Sequence, residues 1–166
     1  MTNNGFFGQL DDTSPMVPAE NEFAPARITS ARAIHTHPRD SAGNAAENAT
    51  DTVLASAART ASINSADQTN LNYRGVQVII DATAASATPS LTVKIQGKDP
   101  VSGKYYDLIT SAAITGISTT VLKVYPGITA SANAAVSDVL PKTWRVSVTA
   151  ANTDSITYSA VANLIL

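Results

Sequence analysis

The stretch Leu91-Thr92-Val93-Lys94-Ile95-Gln96, the turn Asp99-Pro100-Val101-Ser102-Gly103-Lys104 and the return Tyr105-Tyr106-Asp107-Leu108-Ile109-Thr110 decide the fold class. Leu91, Val93 and Ile95 recur with a period of two, and Thr92, Lys94 and Gln96 fill the alternate positions. An extended segment with that spacing has one apolar side and one polar side. Pro100 and Gly103 punctuate the turn, so residues 90–110 read as a β-hairpin.

The same alternation continues on both sides of the hairpin. In residues 75–82, Val76, Val78 and Ile80 point one way while Gln77, Ile79 and Asp81 point the other. In residues 143–150, Trp144, Val146 and Val148 oppose Arg145, Ser147 and Thr149. Ile156, Tyr158, Ala160, Ala162, Leu164 and Leu166 share one parity at the end of the chain. Residues 53–63 and 119–125 complete a set of about seven strands, with turn signals at Pro126-Gly127 and at residues 152–154. The expected fold is all-β: a β-sandwich or jelly-roll-like domain of antiparallel strands over residues 52–166. Strand order is not written in periodicity, so both architectures stay open. The alanine- and threonine-rich segments 82–87, 111–115 and 130–136 lack specific chemistry and suit the rims of an oligomer interface.

Residues 1–51 read differently. They contain Pro15, Pro18, Pro25 and Pro38, half of the eight prolines, which prevents a long helix and favours extended or turn conformations. Apolar residues appear singly or in pairs, and such a segment cannot bury enough surface to offset its own ordering entropy. Phe6, Phe7, Leu10, Met16, Val17 and Phe23 are therefore expected to be anchors of an extended N-terminal arm that docks on a neighbouring subunit.

Composition narrows the function classes. Charged residues are 14% of the chain, against roughly 25% in typical soluble domains, which suits a surface packed against other protein. The eleven Lys and Arg form no run, so no nucleic-acid partner is expected. There is no cysteine, which excludes disulfides and thiolate metal sites. No stretch approaches 18 continuous apolar residues, so neither a transmembrane helix nor a membrane partner is expected. The opening residues lack a basic segment followed by an apolar one, and no signal peptide is expected.

No set of side chains converges on a reaction. His35 and His37 lie two apart on an extended segment, point to opposite sides and suit chelation poorly. Asp99, Asp107, Asp138 and Asp154 lie in or beside turns, where carboxylates cap backbone amides. Tyr105 and Tyr106 face opposite sides of one strand, so one ring should be exposed and could serve as a sugar platform. Trp144 shares its face with Val146 and Val148 and reads as core. Catalytic residues, cofactors, metals and small-molecule substrates are all expected to be absent.

Several stretches carry a family likeness: residues 54–60, Arg74-Gly75-Val76-Gln77-Val78, residues 89–106, Tyr125-Pro126-Gly127, and Leu140-Pro141-Lys142-Thr143-Trp144-Arg145-Val146. Through these, residues 54–165 resemble small structural proteins encoded in the virion modules of tailed bacteriophages. The resemblance implies a non-enzymatic virion component, foremost a head decoration (cement) protein on the outer surface of the head. Its partners would be the major capsid protein and copies of itself, as a homotrimer. A tail, neck or baseplate component and a host-surface glycan-binding β-sandwich are the alternatives. The resemblance covers about two thirds of the chain and excludes the arm.

Overall fold

The structure, a computed structural model, describes residues 47–166. Ten strands follow in chain order: β1 (Ala49–Arg59), β2 (Ile63–Asn64), β3 (Gln68–Thr69), β4 (Gly75–Ala85), β5 (Leu91–Lys98), β6 (Tyr105–Thr110), β7 (Ser118–Val124), β8 (Ala135–Val136), β9 (Thr143–Ala150) and β10 (Ile156–Ile165). They form two sheets, one ordered β1-β10-β4-β7-β8 and the other β2-β9-β5-β6, with β3 also paired to β9.

β2 and β3 are two pieces of one strand broken by a bulge. Ile63 and Asn64 face Val148 and Ser147, whereas Gln68 and Thr69 face Trp144 and Thr143. Four residue steps on this side oppose three on β9, so one residue is extra. Buried Ser65 holds the break together. Its N–H donates to the Val146 carbonyl (2.8 Å) and its Oγ accepts from the Val146 N–H (3.0 Å). With β2 and β3 counted as one and the two-residue edge strand β8 set aside, the eight principal strands, renumbered in chain order, lie in the orders 1-8-3-6 and 2-7-4-5. Every neighbouring pair among them is antiparallel, and the domain is a β-sandwich of jelly-roll type.

The first strand runs Ala49–Arg59 rather than over residues 53–63. Pairing with β10 fixes its start, since Ala49 lies opposite Leu164. Residues 60–62 then carry the chain to the second sheet, so Ile63 belongs beside β9. Two register shifts interrupt β1, and Arg59 closes over them. Its guanidinium donates to the carbonyls of Ala55 (2.6 Å), Ala57 (3.2 Å) and Tyr158 (2.7 Å) and lies over the Tyr158 ring at 4.5 Å.

Inward parity builds the core. Val76, Val78, Ile80, Leu122, Val124, Tyr158, Ala160 and Ala162 from the first sheet meet Leu91, Val93, Ile95, Trp144, Val146 and Val148 from the second, all buried. Burial of such apolar area at roughly 25 cal/mol per Å² is what holds the two sheets together. The start of β1, the end of β10 and the loops 70–74, 99–104 and 125–142 share one end of the sandwich. Asn70 stitches that end. Its side-chain amide donates to the carbonyls of Tyr73 (2.8 Å) and Leu140 (2.9 Å), and its Oδ1 accepts from the Tyr73 N–H (2.9 Å).

Two glycines at this end make a discriminating pair. A Cβ on Gly75 would collide with the Val124 carbonyl oxygen and sit 2.5 Å from Cδ2 of Tyr125, and the sheet backbone cannot yield. A Cβ on Gly97 would meet Cζ (2.5 Å) and Oη (2.6 Å) of Tyr106 and Cγ (2.9 Å) of Pro141. Tyr106 is 48% exposed, so its ring can swing outward. Gly75→Ala should cost about 3 kcal/mol and Gly97→Ala about 1 kcal/mol or less, the upper and lower ends of the overpacking range. Denaturant titration of the two variants checks the order, and equal losses would contradict it.

Candidate functional site

The sandwich presents two outer faces of opposite character. On the second sheet, outward residues of β5, β6 and β9 and the bulge between β2 and β3 form one polar network. The bulge aims Asp67 across the sheet, where Oδ2 accepts from Lys98 Nζ at 2.7 Å and Oδ1 from the Tyr105 hydroxyl at 2.6 Å. The Tyr105 ring lies under the Arg145 guanidinium, 3.4 Å from its centroid. Arg145 Nε donates to Oε1 of Gln96 (2.9 Å), whose Nε2 donates to Oδ1 of Asp107 (2.7 Å). Lys94 Nζ closes the chain on Asp107 Oδ2 at 2.6 Å.

Electrostatics follow from these contacts. The Lys98 and then the Tyr105 hydrogen bonds hold the Asp67 carboxyl below its ordinary range, and Asp67 in turn raises the Lys98 ammonium. Gln96 first and Lys94 second lower Asp107. Both ion pairs are surface pairs with side chains about a third exposed, so solvent screening leaves them little weight in stability. The network therefore orders the face more than it stabilises the fold.

The outer face of the first sheet breaks the usual rule. In an antiparallel sheet with one solvated face, outward positions are polar. Here Val161, Ile79 and Val121 stand side by side on β10, β4 and β7, all pointing away from the core and half-buried. The neighbouring rows, Asn163–Gln77–Lys123 and Ser159–Asp81–Thr119, carry only one charge each. A shallow concavity of about 310 Å³ adjoins the face, lined by Val76, Gln77, Lys123, Tyr125, Ile128 and Ile165. Tyr125 is held there by its hydroxyl on the Leu166 carbonyl (3.3 Å) and by Arg74, 5.7 Å from the ring centroid.

Residues singled out from the sequence fall into three groups. Asp99, Asp138 and Asp154 do accept from turn amides: Asp99 from Val101 (2.9 Å), Asp138 from Val139 (2.7 Å) and Asp154 from Thr88 (3.3 Å). Asp99 is also lowered, chiefly by the Ser102 hydroxyl. Asp107 departs from the turn reading, because its partners are the side chains of Lys94 and Gln96 across the hairpin. Tyr106 is the exposed ring of its pair, and the face of Tyr105 is stacked under Arg145 rather than open to a sugar. Trp144 is 1% exposed, as a core residue should be. The arm anchors Phe6, Phe7, Leu10, Met16, Val17 and Phe23, with His35 and His37, lie outside the described residues.

Asp67, Gln96, Arg145, Val121 and Val161 were not singled out in the sequence as site residues. Period-two alternation gives the outward parity of Gln96 and Arg145, but only the register of β5 against β9 sets them opposite each other. Among the described residues no group of His, Cys, Asp or Glu is arranged to hold a metal ion. Comparison of the chain with protein-family models, curated proteins and solved structures found no match.

Proposed function

We propose that this chain is a non-enzymatic structural protein of a tailed-phage virion, acting as a head decoration protein. The observation that carries the assembly reading is the outward apolar row Val161–Ile79–Val121 on a sheet face with few charges. Leaving such a row in water forgoes the stabilisation that contact with another subunit supplies, about 25 cal/mol for each Å² of apolar area removed from water. Closed symmetry is the economical way to cover one identical face on every copy, and a homotrimer matches a threefold position on a shell. The jelly-roll order supports the same reading, since sandwiches of this type recur in capsid proteins. The likeness of residues 54–165 to phage virion proteins points to the particle.

Residues 1–46 supply the reach in this proposal, since residues 49–51, expected in the arm, belong to β1. Phe6, Phe7, Leu10, Met16, Val17 and Phe23 bury in grooves of the major capsid protein or of neighbouring decoration subunits. Binding to assembled shell and not to free capsid subunits stabilises the shell by mass action. Linked contacts from several copies add avidity without a strong single site.

Electron cryo-microscopy of the particle carrying this protein tests the proposal. Threefold density on the outer shell with arms crossing subunit boundaries is the expected result. Density confined to neck or tail would move the address, and absence from the particle would overturn the virion reading. Deleting residues 1–46 should reduce shell occupancy at least about tenfold through lost avidity, while the circular dichroism of the β-domain is retained. Undiminished occupancy would remove the arm from the mechanism.

A further inference from the structure

On the outer face of β9, β5 and β6, three cations stand among two carboxylates. Lys94 is paired with Asp107 and Lys98 with Asp67. Arg145 has no carboxylate within ion-pair distance among the described residues, and its influence on Asp67 is the last and smallest of the causes acting there. Yet Arg145 is held at two points. Its flat face rests on Tyr105 at 3.4 Å, and its Nε is fixed by Gln96 at 2.9 Å. Tyr105 is itself pinned through its hydroxyl to Asp67, and Gln96 through its amide to Asp107. Only the Nε–H is used within the described protein, which leaves the terminal N–H groups of a pre-oriented planar fork.

We propose that Arg145 is a docking anchor for the carboxylate of an acidic side chain on a partner polypeptide. Three physical points favour that occupant. A guanidinium with two terminal nitrogens available matches a carboxylate in bidentate geometry, and such charge-assisted pairs are the strong ones. Stacking and the Gln96 bond have already reduced the rotamer entropy that Arg145 would lose on binding. Tyr105, Gln96 and both lysines are already engaged by Asp67, Asp107 and Arg145, so the hydroxyl-matching groups and open ring that an acidic sugar needs are absent from this patch. The anchor is on the sheet opposite to the apolar row and stands independently of the virion reading.

The test is side-chain NMR on ¹⁵N-labelled full-length protein, titrated with an N-acetylated di-aspartate peptide amide. The Arg145 Nε–Hε signal should shift saturably, while the di-asparagine counterpart leaves it in place. Arg145→Gln should weaken binding about tenfold or more, the loss of one charge-assisted contact, with an unchanged melting temperature. Arg145→Lys, which keeps the charge without the fork, should recover only part of it. Tyr105→Leu, which removes the stack, should weaken binding with Arg145 still present. Shifts spread equally over Lys94, Lys98 and Arg145, or full binding by Arg145→Lys, would overturn the anchor. Tighter binding of glucuronate than of the peptide would overturn the polypeptide partner.

Discussion

Trp144→Ala should remove about 3–5 kcal/mol of stability, the largest single loss expected in the β-domain. The ring is 1% exposed and sits on β9 opposite Gly97 of β5 and Gln68 of β3. Because Gly97 has no side chain, no cross-strand neighbour on β5 can expand into the space an alanine would leave. The lost transfer energy of the ring and the cavity term therefore both apply. Against a typical total of about 5–15 kcal/mol, a loss of that size leaves the fold marginal at 37 °C. Trp144→Phe should behave quite differently. The indole Nε1 is buried with no hydrogen-bond partner among the described residues, so its removal relieves a desolvation cost that partly offsets the smaller ring. That variant should stay within about 1.5 kcal/mol of the parent. Denaturant unfolding of the three proteins measures the contrast. A phenylalanine variant as damaged as the alanine one would mean that the N–H has a partner the fold depends on.

The strands were legible in the sequence because period-two alternation is a local property, and Val93, Val146 and Tyr158 all lie on the side their parity indicates. Strand order was not legible, because nothing in residues 156–166 says that β10 inserts between β1 and β4. The two-residue strands β2, β3 and β8 are too short to show a period at all. Asp67 stayed hidden for a related reason. It lies in a bulge, where one extra residue breaks the alternation that would have revealed its direction. The polar network and the apolar row share this origin. Each joins residues from three strands whose registers are set by long-range pairing, so parity identifies the members and only the fold assembles them. Ile79 shows the limit well: its outward direction could be read beside Gln77 and Asp81, but its neighbours Val161 and Val121 could not.

Ile79→Lys should therefore separate assembly from folding. In the proposed trimer this side chain lies mid-row on a contact face, flanked by Val161 and Val121. Its direction is away from the core, so a lysine there can reach water in the isolated subunit, and the melting temperature of the domain should change by only a few degrees. At the contact the same ammonium is desolvated without a fixed partner, since Asp81, the nearest carboxylate on the strand, lies one row away. A cost of about 3 kcal/mol per contact corresponds to a dissociation constant raised more than about a hundredfold. Sedimentation equilibrium should find the parent trimeric and Ile79→Lys monomeric at the same concentration. Thr92→Lys provides the matched control, because Thr92 faces outward on the opposite sheet and should leave the trimer intact. A trimer that survives Ile79→Lys, or a parent that sediments as a monomer, would show that the outward apolar row is not the surface through which this protein assembles.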